Sequence, residues 1–237
     1  MLIRWAAENE RRQYGYPENE FDEHDVLVAV DRMTEKCIGI VGFSRESNTV
    51  EEPNVFDVAK KEKIIEKLKL CVDRQCNPKG QSFHYRYPQF IKEARREFCP
   101  VCNNEPAPDD QMDIAVNDTA WVCGEYPGQG RLFGKMYVMP RKHAFQFEDM
   151  QEDEMILFMR EVQRVGRALR KVTGAIKINY EMHSNSGAHL HIHLFPRYLD
   201  DDFPGMAIDI NQREPAPYES YEEYLWFVNQ MRKELSQ

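Results

Sequence analysis

The chain has 237 residues, 42% of them hydrophobic and 30% charged, the balance of a folded globular protein and not of a disordered one. Its formal net charge of −9 disfavours tight nucleic-acid binding over a broad basic surface, because neutralised phosphates supply most of that affinity. Met1 to Tyr14 carries Arg4, Glu8, Glu10, Arg11 and Arg12, so it lacks the apolar core of a signal peptide, and no run elsewhere approaches the ~18 residues of a membrane span.

That length allows one large domain, or a domain with a substantial extension. The expected location is cytoplasmic, with no membrane partner. Six cysteines in such a compartment point to metal or catalytic use and away from a disulfide framework.

In chain order, a short charged helix is predicted around Ile3 to Gln13. The VLVAVD and CIGIVGF runs between Asp25 and Ser44 flank a polar turn and read as a hairpin. From Val55 to Leu70, apolar Val58, Ile64, Ile65 and Leu68 recur among lysines and glutamates, the pattern of an amphipathic surface helix. Asn77-Pro78-Lys79-Gly80 breaks the chain. A second helix, about Pro88 to Glu97, leads into Phe98-Cys99-Pro100-Val101-Cys102, and residues 103 to 111 read as a loop. The domain boundary is placed just before Cys99, giving an N-terminal α/β extension of residues 1–98 and a domain of residues 99–237.

Strands are expected at Ala120 to Cys123 and Lys135 to Met139, the second closed by Pro140-Arg141-Lys142-His143. Met155, Phe158, Met159, Val162, Leu169 and Val172 fall at helical intervals from Glu152 to Val172, with Asp149 and Glu152 spaced as a cap. Gly174 stops that helix, Ala175 to Glu181 reads as a strand, and Ser184-Asn185-Ser186-Gly187 makes a polar turn. A closing helix from Ser220 to Leu235 starts on a Ser220/Glu223 capping box.

Between turn and closing helix stands His189-Leu190-His191-Ile192-His193-Leu194-Phe195. On a strand the three imidazoles would share one face and Leu190, Ile192 and Leu194 the other. Imidazole offers a nucleophilic nitrogen and a proton carrier near neutral pH. Cys99-Pro100-Val101-Cys102 has the spacing that lets two thiolates reach one tetrahedral Zn²⁺; two buried free cysteines or a redox pair are the rival readings. Cys71 and Cys76 are read as core or surface thiols.

The stretch resembles the histidine triad (HIT) superfamily motif, His-φ-His-φ-His-φ-φ with φ apolar, at every position from His189 to Phe195. Asn179-Tyr180-Glu181 before it and Pro196-Arg197-Tyr198 after it are similar to bacterial and archaeal branches related to dinucleoside polyphosphate hydrolases. The resemblance covers roughly Cys99 to the C-terminus. It implies an α+β fold, a HIT-like antiparallel sheet with packed helices, often forming a homodimer, that binds a nucleotide and cleaves at its α-phosphate. The middle histidine is the nucleophile of that family, which carries over to His191, with His193 bonding the phosphate or moving protons. Asn179 matches the asparagine on the preceding strand of that family, and Asn185, Ser186 and Gly187 are read as substrate-binding residues that can aim amide, hydroxyl and backbone N–H groups at phosphate oxygens, an ordinary turn being the other reading.

Many members resemble this chain in a further way. A CxxC pair, a histidine closing the Pro-Lys/Arg-x-His segment and the first triad histidine hold a structural zinc, which here implies Cys99, Cys102, His143 and His189. The leading function is thus a nucleotidyl hydrolase or transferase acting on a dinucleoside polyphosphate or nucleoside phosphoramidate through a nucleotidyl-histidine intermediate. Two alternatives stand beside it: a zinc-stabilised nucleotide-binding or interaction protein with little turnover, and a hydrolase in which the HxH pair holds a catalytic metal.

Overall fold

The structure is a computed structural model. It describes residues 1–16, 25–45, 47, 49–76, 87–106, 111–126, 132–184, 187–203, 205, 208 and 217–237. The chain divides into two compact units, Met1–Phe90 and Ile91–Gln237. The boundary read before Cys99 therefore falls inside the second unit, whose Ala94 carbonyl accepts a hydrogen bond from His143 Nε2 at 2.7 Å.

In the first unit, β1 (Leu2–Trp5), β2 (Asp25–Val30), β3 (Cys37–Ser44) and β4 (Thr49–Val50) pair in that order, and β5 (Asn54–Val55) also pairs with β3. The expected helix at Ile3 to Gln13 is split: Leu2 to Trp5 join the sheet, and only α1 (Glu8–Gln13) is helical. The hairpin is present as β2 and β3, in antiparallel register from Asp25↔Phe43 to Val30↔Cys37. On one face Leu27, Ala29, Val41 and Phe43 pack against Ile64, Leu68 and Val72 of α2 (Lys61–Cys76). Val26, Val28, Val30 and Ile40 form a second cluster with Tyr14 and Tyr16. Burial on both sides explains why these strands read as apolar runs instead of alternating. Gly39 is required by the helix contact, since a Cβ there would stand 2.6 Å from Ile64 Cγ2.

Where one longer helix was predicted, α3 (Tyr87–Glu93) runs across the division after Phe90, and a 3₁₀ turn, Arg96–Phe98, follows it in the second unit. Its five-stranded antiparallel sheet runs β6 (Gln111–Val116), β7 (Ala120–Glu125), β8 (Met136–Pro140), β10 (Ile192–Arg197), β9 (Lys177–Glu181). Two helices, α4 (Glu152–Thr173) and α5 (Tyr221–Leu235), supply the other half of its core. Val122, Met136, Val138, Ile192 and Leu194 meet Phe158, Val162, Val165 and Leu169 of α4 and Tyr224, Phe227 and Met231 of α5. Truncating Phe158 or Phe227 to alanine removes fully buried rings and costs about 3–5 kcal/mol.

Gly174, at φ 70°, ends α4 in the left-handed conformation as its position predicts. Asp149 does not cap that helix; its carboxylate accepts the Gln146 amide at 2.8 Å in the preceding turn, and Gln151 is the N-cap. At α5 the Ser220 hydroxyl accepts the Glu223 amide at 3.3 Å, while the Glu223 carboxylate takes the Glu219 amide at 2.6 Å. Among the described residues no helix is long and apolar enough to cross a membrane.

After β10 the chain is pinned by Arg197, which donates to both oxygens of Asp201 at 2.7 and 2.8 Å. That guanidinium, with the amides of Phe203 and Tyr198, holds the Asp201 carboxyl down at about 2 against an ordinary 3.8. A lowered carboxyl stabilises fully above its ordinary value and loses that contribution as pH falls toward 2. Asp201→Asn should therefore cost about 1 kcal/mol at pH 7, with the gap closing near pH 2. Denaturant melts at the two pH values measure it, and an equal gap at both contradicts the linkage.

Candidate functional site

The five-stranded sheet buries one face under α4 and α5 and turns the other toward the candidate chemistry. Register places Asp113 opposite Cys123, Cys123 opposite Tyr137, Tyr137 opposite His193, and His193 opposite Glu181. Opposed residues share a face, so these five side chains form a polar row across all five strands. Leu194 alternates to the helix side, while Phe195 joins Leu132, Phe203 and Ile208 in a small apolar cluster. That cluster lies beside His193, whose ring stacks on Phe195 at 5.7 Å.

The histidine row is not one strand. β10 begins at Ile192, so only His193 lies in the ladder; His189 and His191 sit in the irregular chain before it. The reason is where their polar groups go. Leu190 N–H donates to Ala144 O at 2.8 Å, His189 Nε2 to Pro140 O at 2.8 Å, and His191 Nδ1 to the His189 carbonyl at 2.9 Å. The apolar half of the alternation holds: Leu190, Ile192 and Leu194 are all buried.

Those bonds divide the three imidazoles among separate tasks. His189 meets the cysteine pair. Its Nδ1 lies 3.4 Å from Cys99 Sγ and 3.6 Å from Cys102 Sγ, and His143 Nδ1 lies 3.4 Å from Cys102 Sγ. The ligand atoms of Cys99, Cys102, His143 and His189 all fall within 4.8 Å of one another. Zn–S bonds of about 2.3 Å and Zn–N bonds of about 2.0–2.1 Å at the tetrahedral angle require S···N edges of about 3.5 Å. The donor set and its spacing therefore fit a four-coordinate zinc. Both imidazoles also donate Nε2–H to a backbone carbonyl, Ala94 or Pro140, which fixes the tautomer and leaves Nδ1 as the ligating lone pair.

The electrostatics agree. Burial and then the neighbouring Cys99 push the Cys102 thiol up to about 11, because two adjacent thiolates need a cation between them. Burial lowers His189 to about 4, keeping its imidazole neutral as a ligand must be. The ring of Trp121 stands edge-on to His189 at 5.9 Å, and Arg141 lies over that indole at 4.0 Å.

His191 is buried, with 8% of its surface exposed. Its donation from Nδ1 leaves Nε2 as the nitrogen with the free lone pair. Burial, opposed by that bond and aided by the Lys135 cation, lowers its tendency to protonate. His193 is lowered too, to about 2, by burial and then Lys135; among the described residues its buried Nδ1 has no hydrogen-bond partner. The two rings are 4.8 Å apart, and Tyr137 stands edge-on to both, at 6.1 and 6.0 Å.

Of the substrate-binding residues expected from the sequence, Asn179 lies on β9 opposite Phe195 and Gly187 in the approach to His189. Asn185 and Ser186 lie outside the described residues. His189 belongs to the thiol cluster, so of the HxH pairs that could hold a catalytic metal the geometry leaves His191 and His193, whose rings are 4.8 Å apart.

Sequence reasoning missed Tyr137, Lys135, Glu181 and His183. The alternation of Lys135, just before β8, with Tyr137 inside it was the available signal. Lys135 is 1% exposed and ion-paired with Glu125, its ammonium 5.9 Å from the Phe195 ring centre. Glu181 accepts a hydrogen bond from His183 Nε2 at 2.8 Å.

An antiparallel sheet backed by two helices, with a Cys₂His₂ cluster tied to a buried histidine pair, defines an α+β domain of the histidine triad type. Residues 133–200 match the HIT domain family model. An uncharacterized HIT-like protein of Methanocaldococcus jannaschii is 31% identical over 115 residues, covering 44% of this chain and 80% of that one. The chain belongs to the histidine triad family. Among solved structures, a histidine triad protein from Bradyrhizobium japonicum is 22% identical with a TM-score of 0.46, covering 53% of this chain and 91% of that one. A Zn-bound histidine triad family protein from Mycobacterium smegmatis is 22% identical with a TM-score of 0.41, covering 60% and 93%.

Proposed function

We propose that this protein is a nucleotidyl hydrolase or transferase that cleaves a nucleotide conjugate, a dinucleoside polyphosphate or a nucleoside phosphoramidate, at the α-phosphate. Membership of the family supports nucleotide-binding, hydrolase-type chemistry. The observation that carries the finer reading is the 2.9 Å bond from His191 Nδ1 to the His189 carbonyl. It presents Nε2 as a nucleophile whose orientation is set by backbone, which is what splitting one displacement into two requires.

In this mechanism Nε2 attacks the α-phosphorus and the bond to the leaving group breaks. Water, or another acceptor, then displaces His191 and releases the nucleotide. His193 faces the same phosphate. Asn179, Asn185, Ser186 and Gly187 are its proposed ligands, since such transfer depends mostly on positioning and charge stabilisation. Cys99, Cys102, His143 and His189 would hold zinc, whose chemistry here is structural. A closed four-ligand set leaves no open position for substrate, and it fixes the backbone carbonyl on which His191 hangs.

The direct test is mass spectrometry under neutral or alkaline denaturation after brief mixing with substrate, because acid destroys phosphoramidates. One nucleoside monophosphate on His191 is expected; an adduct on His193 would move the nucleophile, and turnover with no adduct at any histidine would end the reading. All of this machinery lies in the second unit. We propose that residues 1–90 tune specificity or assembly, so a chain starting at Ile91 should retain turnover on a generic nucleotide substrate. A folded, zinc-loaded but inactive product of that truncation would place a required residue upstream.

A further inference from the structure

The stretch that holds the triad has a fourth histidine, His183, to which the reaction above gives no task. We infer that His183, held by Glu181, is a further catalytic residue of this site, passing a proton to the leaving group and recovering it from the attacking water. The inference rests on His191 being the nucleophile.

Three observations place it there. Glu181 is directly opposite His193 in the β9–β10 ladder, so its side chain rises from the reactive face, with Cβ atoms of such opposed pairs about 4.5–5.5 Å apart. His183 Nε2 donates to Glu181 Oε2 at 2.8 Å, which orients the ring. The next residue, Ser184, is a non-glycine residue in the left-handed region at φ 49°. His183 stays near enough for its charge to bear on both His191 and His193.

The chemistry needs such a group. His191 has committed Nδ1 to a carbonyl and spends Nε2 on phosphorus. His193 is buried and held neutral, so it carries no spare proton to give. His183 is 45% exposed, and Glu181 15%, so this imidazole can exchange protons with solvent between steps.

In the first step the bond from His191 Nε2 to phosphorus forms and the bond to the leaving atom breaks. The leaving atom keeps that electron pair and takes the proton from His183 Nδ1, the nitrogen not bound to Glu181. In the second, water gives a proton to Nδ1 as its oxygen bonds phosphorus, and the phosphorus–nitrogen pair returns to His191. The enzyme ends as it began. The net reaction adds one water and releases a nucleoside monophosphate and the protonated leaving group.

A general acid matters in proportion to how badly the leaving group needs a proton. Two probes separate that: the p-nitrophenyl ester of adenosine 5′-monophosphate, whose phenolate departs unprotonated, and its N-alkyl phosphoramidate, whose amine must be protonated. In single turnover, with release of the leaving group followed, His183→Gln should slow the phosphoramidate by about 100-fold or more and the nitrophenyl ester by under about threefold. Glu181→Gln should act in the same direction more weakly. Equal slowing of both probes, or of neither, overturns the assignment of His183. Zinc content and melting temperature of both variants should match the parent, as expected for an exposed histidine. His191→Ala, run on the nitrophenyl ester, reports separately on the nucleophile. If that ester still turns over, the nucleophile reading fails and the proton relay with it; if it stops while His183→Gln shows no leaving-group dependence, only the relay fails.

Discussion

Cys102→Ser is expected to lose zinc and stability together, while Cys71→Ser, a thiol of the first unit that is not among the four cluster residues, keeps its zinc. Cys102 Sγ is the hub of the four-residue set, touching both imidazole nitrogens at 3.4 and 3.6 Å. A serine oxygen there is a harder and poorer ligand for zinc than a thiolate. Structural zinc adds directly to folding free energy, and its binding is worth about 10–16 kcal/mol in small zinc domains. Losing even a third of that should lower the melting temperature by about 10 °C or more.

The fall should also be selective for the second unit. The cluster joins the turn at Cys99–Cys102, the segment after β8 at His143 and the approach to β10 at His189, three stretches remote in sequence. Elemental analysis and calorimetry on the parent and both variants measure it. Stoichiometric zinc in Cys102→Ser with an unchanged melting profile would show that the cluster is not a metal site.

How much of this was readable beforehand follows from what each signal physically requires. The thiol pair and the alternating histidines could be read because coordination and nucleophilic chemistry demand those residue types at short spacings. Helix α4 was readable because its apolar stripe runs for six turns and ends on a glycine that adopts the left-handed conformation. Strand β6 was not. Its register slips between Asp113 and Ala115, and that irregularity breaks the period-two pattern by which a strand is recognised. Strand β1 was hidden for a different reason: four half-exposed residues carry too little alternation to outweigh the charged helix beside them.

The site itself was half legible. Chain-local chemistry, the CxxC and the HxHxH, could be seen. What could not is anything produced by the ladder, because Glu181 and Tyr137 become neighbours of His193, and Cys123 and Asp113 join the same row, only through the pairing of five strands. The expectation that His189 and His191 continue the strand failed for a related cause. Alternation specifies which side chains are buried, and here it does so correctly, but it does not specify where backbone groups bond. Ala144, after β8, takes the Leu190 N–H that would have extended the ladder, and Pro140, the last residue of β8, takes the His189 imidazole.

His191→Ala should abolish turnover, by roughly ten-thousand-fold or more, the scale on which enzymes lose activity with their nucleophile. Nucleotide binding and zinc content should stay near those of the parent. The separation is expected because the residue's two neighbours, Leu190 and Ile192, are 1% and 2% exposed and hold the segment in place without it. The bond that ties His191 to the zinc-bearing segment is made to a backbone carbonyl, so deleting the imidazole leaves the His189 ring and its bond to Pro140 untouched. The cost in stability should be modest, about 1–2 kcal/mol for a small buried side chain that made one hydrogen bond. Turnover by product release, nucleotide affinity by titration and zinc by elemental analysis give the three readings. Retained activity would remove His191 from the chemistry, and loss of zinc along with activity would mean that its role is to build the cluster rather than to attack. His193→Ala sharpens the contrast: it lies in the ladder and also faces the phosphate, so it should slow the reaction while leaving the adduct on His191 detectable.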